Sequence, residues 1–98
     1  MKKLFLLFLF PLSAFSQYTS IPDANFEQAL INYSYDFVFD GFVETSAIDT
    51  VTELMINNNN ISDLTGIESF IALQSLFCYD NNLTTLNLVN NTQLFEVT

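Results

Sequence analysis

The chain has 98 residues, half of them hydrophobic, and a formal net charge of −9. Its two basic residues are Lys2 and Lys3, so residues 17–98 carry 11 acidic groups and no Lys, Arg or His. A surface without cations cannot neutralise phosphates, which excludes nucleic acid as a partner and disfavours an anionic membrane surface.

Residues 1–16 read as an export signal. Lys2 and Lys3 start it, Leu4 to Phe10 form an unbroken apolar run, and Ala14-Phe15-Ser16 is a small-x-small cleavage site before Gln17. The apolar stretch from Leu4 to Phe15 is interrupted by Pro11 and is well short of the roughly 20 residues that a membrane-spanning helix needs. Residues 1–16 are therefore assigned to a signal peptide cleaved after Ser16, and the mature chain is expected to be secreted or held at the cell surface. Cys78 is the only cysteine, so no internal disulfide can form although export would permit one.

Residues 17–50 form the next unit. Ser20-Ile21-Pro22-Asp23 reads as a helix start, with proline in the first turn, an acid near the positive end of the helix dipole, and Phe26, Ala29 and Leu30 at helical spacing. The pattern predicts a short helix from about Asp23 to Asn32, with Phe26 and Leu30 facing the repeats that follow and Glu27 and Gln28 facing solvent. Its expected role is to cap the first repeat. Tyr33 to Thr50 reads as an aromatic-rich loop turned at Asp40-Gly41. Asp36, Asp40 and Gly41 fall at positions one, five and six of a calcium-binding EF-hand loop. Val38 at position three and the lack of a Glu at position twelve break that match, so a self-satisfied turn is expected and no metal is assigned.

From Val51 the chain repeats itself. VTELMINNNNISDL and LQSLFCYDNNLTTL align at one constant offset, pairing Val51 with Leu73, Leu54 with Leu76, Ile56 with Cys78, Asn59 with Asn81, Ile61 with Leu83 and Leu64 with Leu86. Period-two alternation turns Leu54, Ile56, Leu76 and Cys78 into a core from short parallel strands. Cys78, in the place of Ile56, is then a small buried apolar residue. Asn59 and Asn81 fall where the chain leaves each strand and can satisfy backbone groups there. Ile61, Leu64, Ile67 and Phe70 recur every three residues and predict a tight helical turn on the first return. Leu86-Asn87-Leu88 predicts an extended return in the second, where the repeat is one position shorter.

The shared form LxxLxLxxNxL resembles the leucine-rich-repeat family, and IPDANFEQALI, ISDLTGIESFIALQSL and NNLTTLNLVNNTQL are similar to the opening of bacterial secreted proteins of the internalin-like type. The resemblance covers Ile21 to Val97. It implies an α/β solenoid, with a short N-terminal capping helix followed by leucine-rich-repeat coils with short parallel strands. Residues 51–98 would hold two full coils and the start of a third. Because about three repeats make a stable stack, the chain is expected to be a truncated piece of a longer product, or else to self-associate through its open C-terminal coil.

The resemblance also implies that residues between the core positions face a concave binding surface: Glu53, Met55 and Asn57, then Ser75, Phe77 and Tyr79, then Glu96. In register, Met55 would lie beside Phe77 and Asn57 beside Tyr79. An apolar and aromatic pair flanked by carboxylates suits recognition of a protein or glycan. The function expected is thus an extracellular or cell-surface interaction or adhesion module. The alternative is a non-catalytic scaffold or spacer at the N-terminus of a longer secreted protein. Catalysis is not expected. Residues 17–98 lack the usual nucleophile and metal-ligand sets, and Glu53 and Glu96, two strands apart, imply no pocket. No cofactor is assigned, and the sequons at Asn32, Asn60, Asn82 and Asn90 follow from an Asn- and Thr-rich composition.

Overall fold

A computed structural model describes residues 17–98, and the proposed signal peptide lies outside the described residues. Strand β1 (Tyr18–Ser20) is followed by helix α1 (Ala24–Asn32), strand β2 (Phe42–Glu44) and the single helical turn α2 (Thr45–Ile48). Strands β3 (Glu53–Met55), β4 (Ser75–Phe77) and β5 (Glu96–Val97) complete the order, with a 3-10 turn at Ile67–Ser69 between β3 and β4. Two sheets result. β1 and β2 pair antiparallel, with Thr19 opposite Val43, and β3, β4 and β5 form a parallel sheet in chain order.

Helix α1 begins where the sequence predicts. Asp23 is its N-cap, its Oδ1 accepting from the Asn25 and Phe26 amides at 2.9 and 3.0 Å. The same carboxylate reaches out of the helix. Oδ2 accepts from the Ser62 and Asp63 amides at 2.8 and 3.0 Å, so one side chain ends the helix and fastens it to the first coil. Phe26 and Leu30 are fully buried, and Phe26 stacks on Phe70 of that coil with ring centroids 6.3 Å apart. Each such side chain contributes about 1.5–3 kcal/mol through burial alone.

Glu27, expected at the solvent face, is buried instead, whereas Gln28 is exposed. The reason lies in the loop that folds over α1. Glu27 Oε2 accepts from the Asp40 amide at 3.1 Å and Oε1 from the Gly41 amide at 2.8 Å. A helical pattern shows which positions are polar, but not which polar side chain another segment will cover.

The segment from Tyr33 to Thr50 is also more ordered than a loop. Val43 and Ile48 enter the core, which requires β2 and α2 to hold them there. The small sheet is tied to the first coil by Thr19, which is buried; its Oγ1 shares a hydrogen bond with Thr45 Oγ1 (2.7 Å) and donates to Ser69 Oγ (2.9 Å). Gly66 allows this approach. At φ 109° it occupies a region disfavoured for side chains, and a Cβ there would strike Ile21 Cδ1 and stand 2.7 Å from the Ser20 carbonyl.

The parallel sheet keeps the register of the sequence repeat: Glu53 pairs with Ser75, Leu54 with Leu76 and Met55 with Phe77. Leu54, Ile56, Leu76 and Cys78 all lie in one core with Ile61, Leu64, Ile67, Phe70 and Leu73. Asn58 and Asp80, at equivalent places after their strands, both take left-handed φ, 60° and 57°, a conformation Asn and Asp tolerate best among side chains with a Cβ.

The second return differs from the first, and from the alignment at Leu86. β4 meets β5 at an offset one position shorter than that between β3 and β4, Ser75 opposite Glu96 and Leu76 opposite Val97, so the deletion falls between the two strands. Leu88 packs against the core, while Leu86, aligned by sequence with the buried Leu64, is 43% exposed. Thr85–Leu88 run without helix, turn or strand pairing, and turns follow at Val89–Asn90 and Thr92–Gln93. In the place of Phe70, at the shorter offset, stands Asn91. It is buried, and its Nδ2 donates to the carbonyls of Ile67 (2.8 Å) and Phe70 (3.0 Å) at the end of the 3-10 turn.

Candidate functional site

The outward face of the parallel sheet is built by the alternation that builds the core. Between Leu54 and Ile56 stands Met55, 50% exposed, and between Leu76 and Cys78 stands Phe77, half-buried. The strand register sets Met55 directly beside Phe77. Beyond the strand ends the ladder continues, with the Ile56 amide donating to the Phe77 carbonyl and the Asn58 amide to the Tyr79 carbonyl (2.8 and 3.0 Å), which sets Asn57 alongside Tyr79. Tyr79 is 51% exposed.

Six of the seven expected face residues, Glu53, Met55, Asn57, Phe77, Tyr79 and Glu96, retain accessible surface; Ser75 is buried. It sits between Glu53 and Glu96, its small side chain covered, and donates from Oγ to Glu96 Oε1 at 3.3 Å. The row Glu53, Ser75, Glu96 therefore closes one side of the strip with two carboxylates separated by a hydroxyl.

One residue of this face lies outside the repeat pattern. The Tyr33 hydroxyl, from just after α1, donates to the Met55 carbonyl. Tyr33 is half-exposed, and its ring lies 5.8 Å from that of Tyr35 at a 30° tilt. The strip thus gains an aromatic border from the N-terminal segment. A contact between a repeat strand and a segment that shares none of its motif leaves no periodic trace, so only the abundance of aromatics in YSYDFVF could draw attention to it.

The turn beneath the strip is held by side-chain hydrogen bonds. Asn81 Nδ2 donates to the carbonyls of Ile56 (2.8 Å) and Cys78 (2.9 Å), and its Oδ1 accepts from the amides of Asn59 (2.9 Å) and Ile61 (3.0 Å), bridging the two coils. Asn59, without a coil before it, makes a local bond to the Asn57 carbonyl. Burial pushes the Cys78 thiol above its ordinary range, which disfavours the reactive thiolate. A cavity of about 280 Å³ lies away from the strip, lined by Asp63, Thr65, Glu68, Leu86 and Val89 among others of the return segments.

One short parallel strand per repeat, asparagine-tied turns and a single core between strands and returns define a leucine-rich-repeat chain. No family model matches it. Over 71 residues it is 36% identical to Internalin J of Listeria monocytogenes serotype 4b (strain F2365), a match that takes in 72% of this chain and 8% of that protein. Among solved structures, the functional domain of InlJ from Listeria monocytogenes, described as including a cysteine ladder, aligns with a TM-score of 0.66 at 34% identity. That alignment covers 81% of this chain and 18% of the other. The internalin InlF of strain 4b F2365 shares the fold, with a TM-score of 0.69 at 21% identity over 78% of this chain and 23% of its own. The chain belongs with the internalin-like leucine-rich-repeat proteins.

Proposed function

We propose that this chain is an extracellular or cell-surface protein-interaction module, non-catalytic, that binds through the outward face of its parallel strands. The observation that carries the reading is the side-by-side placement of Met55 and Phe77, continued by Asn57 and Tyr79 and bordered by Tyr33. Aromatic side chains give large contact area with little ordering cost, and methionine adds an adaptable apolar surface beside them. Glu53 and Glu96 flank them with negative charge, which favours a partner presenting basic residues around an apolar spot. Similarity to Internalin J supports an interaction role and an extracellular setting, with residues 1–16 as the export signal. In this reading residues 17–50 cap the first coil, with α1 and the β1–β2 sheet covering its apolar end.

The test is a panel of extracellular protein domains probed with the labelled chain, any binder then being remeasured against Phe77→Ser/Tyr79→Ser. Loss of binding by tenfold or more, about 1.4 kcal/mol, with an unchanged circular dichroism spectrum is expected. Binding that survives the double substitution would remove the strip from the interaction, and a scaffold that only spaces other modules would show no preference across the panel.

A further inference from the structure

Three carboxylates meet where the loop after α1 folds back over the helix. Glu27, Asp36 and Asp40 each place one carboxylate oxygen within 4.8 Å of the others. Glu27 is 2% exposed and Asp36 8%, while Asp40 opens to solvent. Acidic clusters on surfaces are common. Here two of the three members are buried, and among residues 17–98 there is no Lys, Arg or His that could neutralise them.

The second observation concerns Asp36. Its Oδ1 accepts from the amides of Phe37 (2.9 Å) and Val38 (3.4 Å), but its Oδ2 is buried without any hydrogen-bond partner. An acceptor stripped of water and left unpaired keeps its full desolvation penalty, larger still when charged. Glu27 is held differently, both oxygens accepting from the Asp40 and Gly41 amides. Those amides orient the carboxylate yet leave further lone pairs free, since an ionised carboxyl has about four acceptor directions. Burial first, then the adjacent Asp36 carboxyl, pushes the Glu27 carboxyl above its ordinary value, with the two amides opposing.

We infer that Glu27, Asp36 and Asp40 form a site for a hard divalent cation of the calcium class, which satisfies the orphaned Asp36 oxygen and pins the loop to helix α1. The donor set is all oxygen, and ligand oxygens up to 4.8 Å apart match opposite positions around an ion bound at roughly 2.4 Å. Calcium accepts such irregular sets and fills its remaining positions with water, for which exposed Asp40 gives access. Magnesium holds its near-ideal octahedron and its own water more tightly. The site is not an EF-hand. Val38 supplies no ligand at the third loop position, and the missing carboxylate comes from Glu27, upstream of Asp36 on the helix. The bound ion would fix the loop that carries Phe37, Val38 and Phe39, all well exposed, in one conformation.

The experiment uses the chain after chelator treatment, titrated with calcium chloride by calorimetry at neutral pH, alongside thermal unfolding with calcium, magnesium or chelator. One saturable site is expected, with a rise in Tm of about 10 °C at a hundredfold excess over Kd, and a smaller rise with magnesium. Asp36→Asn keeps an oxygen for the Phe37 and Val38 amides and should abolish the calcium response. Should that variant not fold, terbium luminescence of the unaltered chain, excited through Tyr35 beside Asp36 and quenched by competing calcium, reads the site directly. No saturable calcium effect on the unaltered chain overturns the inference and leaves a proton shared by Glu27 and Asp36 to fill the gap. A calcium response that Asp36→Asn leaves unchanged overturns it equally, placing the ion elsewhere on the acidic surface.

Discussion

Asn81 shows how far one side chain can be read from sequence. Its place at the end of the LxxLxLxxN motif predicts a turn residue satisfying the backbone, and the structure adds that it does so for both coils at once, serving Ile56, Cys78, Asn59 and Ile61. Asn59 has the same motif position and a single local bond. The pair therefore makes a controlled comparison. Asn81→Ala should lower unfolding free energy by about 3 kcal/mol, because several partly buried amides and carbonyls lose their partner together, whereas Asn59→Ala should cost about 1 kcal/mol. Urea unfolding of the two variants measures the difference, and equal losses would show that the bridge between coils has no special weight. Asn91 is not legible in this way. It reads as one more turn asparagine in Asn90-Asn91-Thr92, and its burial under the 3-10 turn follows only from the one-position shortening of the repeat, which sequence alignment places no more closely than the stretch between Leu86 and Leu94.

Among elements, those with a period are legible and those fixed by long-range contacts are not. The helix from Asp23 is expected to within a residue, since proline, cap and apolar spacing agree, and the repeat strands follow from their paired leucines. The β1–β2 sheet leaves no signal, because strands as short as Tyr18–Ser20 cannot show alternation and pair across a helix and a loop. Glu27 is misread for a related reason: its cover is supplied by a loop that follows the end of its own helix. The junction between α1 and the first coil rests on Asp23, whose two oxygens serve four amides on both sides. Asp23→Ala removes the helix cap and the latch in one step and should cost about 2–3 kcal/mol. Asp23→Ser, which can still cap but cannot reach both partners, should recover about 1 kcal/mol of that. Thermal unfolding followed by helix dichroism distinguishes them, and equal Tm values for Asp23→Ser and the unaltered chain would mean that the latch to Ser62 and Asp63 contributes nothing.

For the molecule as a whole, the decisive feature is a charge that no internal pairing offsets. Residues 17–98 hold 11 carboxyl groups and no cationic side chain, so folding compresses like charges without gaining a single side-chain ion pair. Its sign and size are legible from composition. The repeat also places Glu53 and Glu96 two strands apart on one face, whereas the covering of Ser75 between them and its bond to Glu96 come only from the packed strands. Like-charge repulsion over a surface falls when salt shortens the screening length, from about 30 Å at 0.01 M to about 8 Å at 0.15 M. Sodium chloride should therefore raise Tm by a few degrees, about 2–4 °C over that interval, with most of the change at the low end. A chain stabilised by surface ion pairs would respond in the opposite direction, since screening weakens attraction as well as repulsion. The sodium response should be graded and unsaturable and should persist in Asp36→Asn, in contrast to a saturable calcium response that the same substitution removes. A Tm that is flat or falls with sodium chloride would mean that the carboxylates are already neutralised in the folded chain, by bound cations or by retained protons.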